Sequence, residues 1–273
     1  MPTTQQQQQQ PLQPPQPRPR PTPPPLTASA HQHDTKKHLL LASSGSVATI
    51  KLPSIVTALA PHRNLSIRIV LTGSAAAFLA GQSAEQPDLA AVAALPNVDG
   101  VYLDADEWRE PWVRGNSILH IELRRWADIL VVAPLSANTM AKMVGGVCDG
   151  LLLSTVRAWD TMGVLDPVRL PDVEGVEGAV GGGGEEGGAA VVRTRKKRIV
   201  VAPAMNTAMW EHPVTAKQVR VLEEEWGVAN GGWVEVLRPI EKTIACGDTG
   251  SGGMKEWKEI VGVIEERMGL TRA

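Results

Sequence analysis

The sequence predicts an α/β protein: one doubly wound domain with a mostly parallel sheet and helices on both faces. Two observations carry that expectation. Apolar runs of strand length alternate with segments of helical character along most of the chain, the pattern of βαβ units. The turn after each run is rich in small and polar residues, and in such a sheet those turns line the crevice at the carboxyl ends of the strands, where ligands bind.

The first 35 residues stand apart from that pattern. Gln5 to Gln10 is a polar homopolymer, and ten of the chain's 21 prolines fall within the first 25 residues. So few apolar side chains cannot offset the entropy of ordering the segment. A disordered tail over residues 1–35 is therefore expected ahead of a folded domain over 36–273. Its Pro-Xaa-Xaa-Pro spacings leave a proline-dependent docking role open, and removal of residues 1–34 is expected to leave activity intact.

His38 to Ala42 is a short apolar run, read as a buried strand, and Ser43 to Ser46 is a turn. Val47 to Ala60 has helical character, with Pro53 tolerable only in its first turns. Ser66 to Leu71 is the second strand. Thr72-Gly73-Ser74 then turns into an Ala-rich helix ending near Ala80. Gly100 to Leu103 is a short third strand and Ser117 to Trp126 a helix. Asp128 to Ala133 is the clearest buried strand, followed by Pro134 and a helix from about Ala137 to Val144. About residues 165–196 the pattern fails: Gly181 to Gly184 stand in a row, and the segment reads as a mobile surface insertion. Beyond it come a strand over Arg198 to Val201, a helix over Val214 to Trp226, a strand over Trp233 to Leu237 and a closing helix over Lys255 to Met268.

Lys and Arg number 27 against 29 Asp and Glu, a formal charge of −2. That balance excludes a strongly basic nucleic-acid binder. Two cysteines exclude a disulfide framework and a four-cysteine zinc site, and they fit the reducing cytoplasm. No metal site is expected. No apolar run approaches the roughly 18 residues that span a bilayer, so no membrane insertion is expected either.

Five constellations offer chemistry. Gly45-Ser46 follows the first strand and Thr72-Gly73-Ser74 the second. Small residues let backbone N–H groups approach an anion and the hydroxyls add donors, so these turns read as a phosphate cradle or as ordinary turn chemistry. The pattern is not Gly-Xaa-Gly-Xaa-Xaa-Gly, so a nicotinamide dinucleotide is not indicated. Ser136, Asn138 and Thr139 follow the best strand, as ligand contacts or as a helix cap by Ser136. Pro203 to Trp210 follows the next strand; a Met-rich turn is usually core, yet Asn206 has NH2 donors suited to a carboxylate. Cys246 lies among Gly247, Gly250, Gly252 and Gly253, a flexible loop that would expose its thiol, whereas Cys148 reads as packed. His120, early in a helix, reads as structural or as a group able to take a proton near neutral pH.

Six stretches in this order resemble the flavin-dependent cysteine decarboxylases, most closely the phosphopantothenoylcysteine decarboxylases, a family that includes the halotolerance proteins. They are Gly45 to Ala48, His120 to Leu123, Ser136 to Thr139, Arg157 to Asp160, Pro203 to Trp210 and Cys246 to Met254. The resemblance spans about residues 37–163 and 198–265. The Pro-Xaa-Met-Asn-Xaa-Xaa-Met-Trp and Ala-Cys-Gly-Asp-Xaa-Gly-Xaa-Gly patterns together are highly specific.

The resemblance implies a Rossmann-like flavoprotein domain holding FMN without a covalent bond. The phosphate would lie on Gly45, Ser46 and Val47 with Thr72 and Ser74. Ser136, Ala137, Asn138 and Thr139 would hold the ring and ribityl side, with Ala204 and Met254 against flavin or substrate. By the same implication His120 is the base, Asn206 and Met209 meet the substrate, and Cys246 is the proton donor. The reaction would convert 4′-phosphopantothenoylcysteine to 4′-phosphopantetheine in coenzyme A biosynthesis. It would run through thiol oxidation to a thioaldehyde, CO2 loss to an enethiolate, and re-reduction. The resemblance further implies a homotrimer, or a heterotrimer with paralogues, with the active site between subunits. The alternative it carries is a regulatory inhibitor of a type-1-like protein phosphatase.

Overall fold

The computed structural model describes residues 18–163, 165, 196–243 and 249–271. Six strands form one parallel sheet: β1 (Lys37–Ser43), β2 (Leu65–Leu71), β3 (Val98–Leu103), β4 (Ile129–Leu135), β5 (Arg198–Pro203) and β6 (Val234–Val236). Their order is β3-β2-β1-β4-β5-β6, so the chain winds outward from β1 in one direction and from β4 in the other. The sequence-predicted doubly wound fold is the observed one.

Parallel strands are covered on both faces, so their side chains are apolar on both. Leu39 and Leu41 of β1 enter one core; Leu40 and Ala42 enter the other. The first core is roofed by α1 (Leu52–Ala58), α2 (Gly73–Ala76), α3 (Leu89–Ala93) and α9 (Trp257–Met268). The second is roofed by α4 (Leu119–Trp126), α5 (Ala137–Val144), α6 (Leu151–Arg157) and α8 (Pro213–Arg220), while α7 (Thr207–Trp210) is a single turn beyond β5. Pro53 sits in the first turn of α1, and the residues before it, Val47–Lys51, form a 3-10 turn. That is how the chain keeps proline's missing N–H out of a helix interior.

Three expectations are corrected. The tail ends earlier than residue 35. Residues 1–17 lie outside the described residues, but residues 18–35 lie against the domain as a strap. Arg20 donates to the Val101 carbonyl oxygen of the edge strand β3 at 2.6 Å and pairs at 2.8 Å with Asp106, in the turn just beyond it. Leu26 and Ala28 are buried in the second core, and the Ala28 N–H donates to the buried Glu122 carboxylate at 2.6 Å. The local apolar count hid this, because few side chains anchor the strap and arginine supplies the rest. Secondly, the Gly-rich stretch near Cys246 is not wholly loop. Ile240–Thr243 (β7) pairs antiparallel with Thr249–Gly253 (β8). Thirdly, Cys148 is exposed rather than packed. The expected insertion over 165–196 lies almost wholly outside the described residues, as does Cys246. Among the described residues no helix is long and apolar enough to cross a membrane.

Candidate functional site

The strand order reverses between β1 and β4, and the turns leaving their carboxyl ends must diverge there. Buried Ser44 stitches the two turns together. Its N–H and Oγ both reach the Pro134 carbonyl oxygen at 3.0 Å, and Oγ accepts from the Ser136 N–H at 2.8 Å. Beside this seam opens a cleft of about 510 Å³, within the roughly 300–1,000 Å³ of small-molecule sites. Gly45 to Ala48, Phe78, Ser136 to Asn138 and Ala204 to Asn206 line it, closed by Met209, Gly252, Gly253 and Met254. A more polar hollow of about 350 Å³ adjoins it, sharing Gly45, Ser136 and Asn138 and adding Thr72, Gly73, Ser74, Thr139, Lys142 and Asp149.

The turns after β1 and β2 touch. A Cβ on Gly45 would stand 2.6 Å from the Ser74 Cβ, so only glycine lets them approach this closely. The Gly45 N–H has no hydrogen-bond partner among the described residues. Gly73 and Ser74 open α2, where N–H groups have no partner within the helix. Donors from two turns thus meet at one edge of the hollow. Lys142 pairs with Asp149 and holds that carboxyl below its ordinary range. Asp104 is engaged by the Leu151 N–H at 2.8 Å.

Several polar groups on the crevice are already in use. Thr72 Oγ1 caps α2 by accepting from the Ala75 N–H at 3.2 Å. Ser136 Oγ caps α5 by accepting from the Thr139 N–H at 3.3 Å, and donates to Thr139 Oγ1 at 3.2 Å. Asn206 Oδ1 caps α7, accepting from the Met209 N–H at 2.9 Å. Its exposed NH2 group makes no hydrogen bond among the described residues, so the amide caps with one end and offers donors with the other. The β7–β8 hairpin closes the cleft. The Met205 N–H donates to the Gly252 carbonyl oxygen at 3.0 Å. Gly252 has φ +111° with the Met205 carbonyl oxygen 2.7 Å from where a Cβ would stand, a position only glycine fills.

All eleven sequence-predicted cofactor residues and both substrate residues line the cleft or the hollow. His120 does not. It is the second residue of α4, with Nδ1 3.0 Å from Glu107 Oε1, beside the loop that exposes Trp108, Trp112 and Val113. Sequence reasoning missed Phe78, Met205 and Lys142 as lining residues. Phe78 and Lys142 lie a helical turn beyond the motif they serve, where spacing alone gives no cue. Met205 had a cue, its place inside the Pro203–Trp210 motif.

The flavoprotein family matches residues 27–269. Among curated proteins the chain is 38% identical to a probable thymidylate synthase of Schizosaccharomyces pombe and 35% identical to coenzyme A biosynthesis protein 3 of Saccharomyces cerevisiae. These matches cover 87% and 88% of this chain. The chain spans about a third of the length of those two relatives, 30% and 35%. It is 35% identical to mouse phosphopantothenoylcysteine decarboxylase over 85% of this chain and 87% of that protein. Among solved structures it is similar to a Cys-to-Ser mutant of PPC decarboxylase complexed with pantothenoylaminoethenethiol, with TM-score 0.62, 35% identity and coverage of 86% and 99%. The FMN binding protein AtHal3 is similar with TM-score 0.60, 34% identity and coverage of 87% and 100%.

Proposed function

The chain belongs to the flavoprotein family, and from that premise we infer that it binds FMN and decarboxylates 4′-phosphopantothenoylcysteine to 4′-phosphopantetheine in coenzyme A biosynthesis, in the cytoplasm. One observation carries the reading: Gly45, Ser136, Asn138, Ala204, Asn206 and Met254, from separate stretches of chain, converge on one cleft at the switch point.

The residues fit the cofactor. The Gly45–Ser74 contact gathers N–H donors and the Ser74 hydroxyl for a phosphate, and the larger cleft is walled by Val47, Phe78, Met205 and Met254 for a planar ring. FMN supplies a reversible two-electron sink, which a cysteine-derived carboxylate lacks on its own. The chain supplies position and protons. Asn206 NH2 donors grip the carboxylate that leaves as CO2. Met209, half exposed at the mouth, lies against the substrate. His120 takes the thiol proton, and Cys246 returns a proton to the enethiolate. The β7–β8 hairpin, whose described strands precede and follow Cys246 in the sequence, closes over the cleft and excludes water.

His120 stands apart from the cleft of its own chain, which supports a trimer in which a neighbouring copy supplies it, as a homotrimer or mixed with paralogues. The test uses purified, FMN-reconstituted protein. It should be yellow and release CO2 from 4′-phosphopantothenoylcysteine, and Cys246→Ser should retain the flavin while losing turnover. Folded protein that takes up no FMN, or binds FMN without turnover, overturns the reading; the second outcome would leave the phosphatase-regulator alternative.

A further inference from the structure

Glu107 follows the 3-10 turn Asp104–Asp106 that ends β3, and it begins the loop leading to α4. Its side chain is buried, only 5% exposed, and its Oε1 lies 3.0 Å from His120 Nδ1. Its other oxygen, Oε2, is buried without a hydrogen-bond partner among the described residues. Burying a carboxylate with one oxygen unsatisfied opposes folding, and an apolar residue of similar size would avoid that penalty. A purely structural role therefore accounts poorly for a carboxylate at this position.

The pairing decides which imidazole nitrogen is which. An ionised carboxylate only accepts hydrogen bonds, so the nitrogen facing it carries the proton. Nδ1–H then donates to Glu107 Oε1, and the lone pair of the neutral ring is left on Nε2. His120 is 22% exposed, enough for Nε2 to meet a reactant. A histidine whose far nitrogen is locked by a carboxylate or carbonyl is held in one tautomer and one orientation.

We propose that Glu107 is the positioning residue of His120, fixing the Nδ1–H tautomer so that Nε2 is the proton-accepting atom toward the substrate thiol. The proposal rests on the reading of His120 as base. Glu107 lines neither the cleft nor the hollow; it acts through the ring.

The test uses the full FMN-loaded chain and two variants. Glu107→Gln keeps an oxygen that accepts from Nδ1–H, whereas Glu107→Leu keeps the bulk and removes the acceptor. Substrate-driven bleaching of the flavin should slow roughly 100-fold or more in Glu107→Leu and less than about 10-fold in Glu107→Gln, the scale seen when an orienting partner is removed. KM should stay within about threefold in both, because substrate contacts are untouched. Nitrogen-15 NMR of histidine-labelled protein gives a readout independent of turnover. The His120 signals, identified by their loss in His120→Asn, should report Nδ1–H in the parent and in Glu107→Gln, and a shift toward Nε2–H in Glu107→Leu. An Nε2–H tautomer in the parent, or full bleaching rate in Glu107→Leu, overturns the proposal. Normal bleaching in His120→Asn instead removes His120 as base, and with it the catalytic purpose assigned to Glu107. The tautomer measurement would still say whether the pair forms.

Discussion

In the proposed function Asn206 divides its amide between folding and binding. Oδ1 caps α7, and the NH2 group is left for a ligand. Asp is as good a cap as Asn, so Asn206→Asp should fold with unchanged thermal stability. It should still lose substrate affinity, because a carboxylate would then face a carboxylate at close range. Steady-state kinetics should show KM raised roughly tenfold or more; an unchanged KM would take Asn206 out of substrate binding. Asp34 makes a residue-scale prediction about pH. Partial burial acts to raise its carboxyl, but the Lys36 N–H and then His38 outweigh it and bring it from 3.8 down to about 2. A carboxyl lowered by folding favours the folded state above its unfolded value, and that contribution is lost as pH falls from about 4 to about 2. Melting temperatures measured across that window should fall less steeply for Asp34→Asn than for the parent, and parallel curves would refute the assignment.

At the scale of elements, the strap and the hairpin are the parts that local pattern misrepresents. Removing residues 1–17 should leave the melting temperature unchanged. Removing residues 1–34 withdraws Leu26 and Ala28 from the core and leaves Glu122 without its Ala28 N–H partner. Losing a buried leucine and one hydrogen bond to a buried carboxylate that keeps its Arg125 ion pair should cost about 3 kcal/mol, visible as a lower denaturation midpoint. Equal midpoints for the two truncations would restore the tail reading for the whole segment. The first strands, by contrast, are legible within a residue or two, because a strand buried on both faces has a near-continuous apolar run. Short α3 was not legible: its five residues, Leu89–Ala93, are too few to show a helical period, and its cap by Asp88 is the one local cue. Arg68 of β2 is buried against the Tyr102 hydroxyl and the Trp126 ring, 5.0 Å from its guanidinium. No spacing rule places a lone cation inside a core.

For the molecule as a whole, the geometry sets His120 apart from the cleft of its own chain. Its partner Glu107 directly precedes the exposed Trp108, in a loop that also exposes Trp112 and Val113, and solvent-facing tryptophans of this kind are enriched where proteins meet. If a neighbouring copy delivers His120 to the cleft, two inactive variants should rescue one another. Co-expressed His120→Asn and Cys246→Ser chains should give mixed assemblies with activity roughly tenfold or more above either parent. Absence of rescue in assemblies shown to be mixed would mean that both groups serve one chain's own site.

The sequence by itself determined the fold class and named many of the residues that line the cleft and the hollow. Alternating strand and helix patterns impose a parallel sheet, and Gly45, Ser136, Asn138 and Asn206 stand in or beside strand-end turns that such a sheet gathers at one edge. Only the tertiary structure decided that Glu107 meets His120, that the strap fastens to β3 and α4, and that a hairpin shuts the cleft. The physical reason is range. Periodicity and turn chemistry are written between residues a few positions apart, whereas the Glu107–His120 and Ala28–Glu122 contacts join residues 13 and 94 positions apart. Their partners are chosen by packing and burial after the chain has folded.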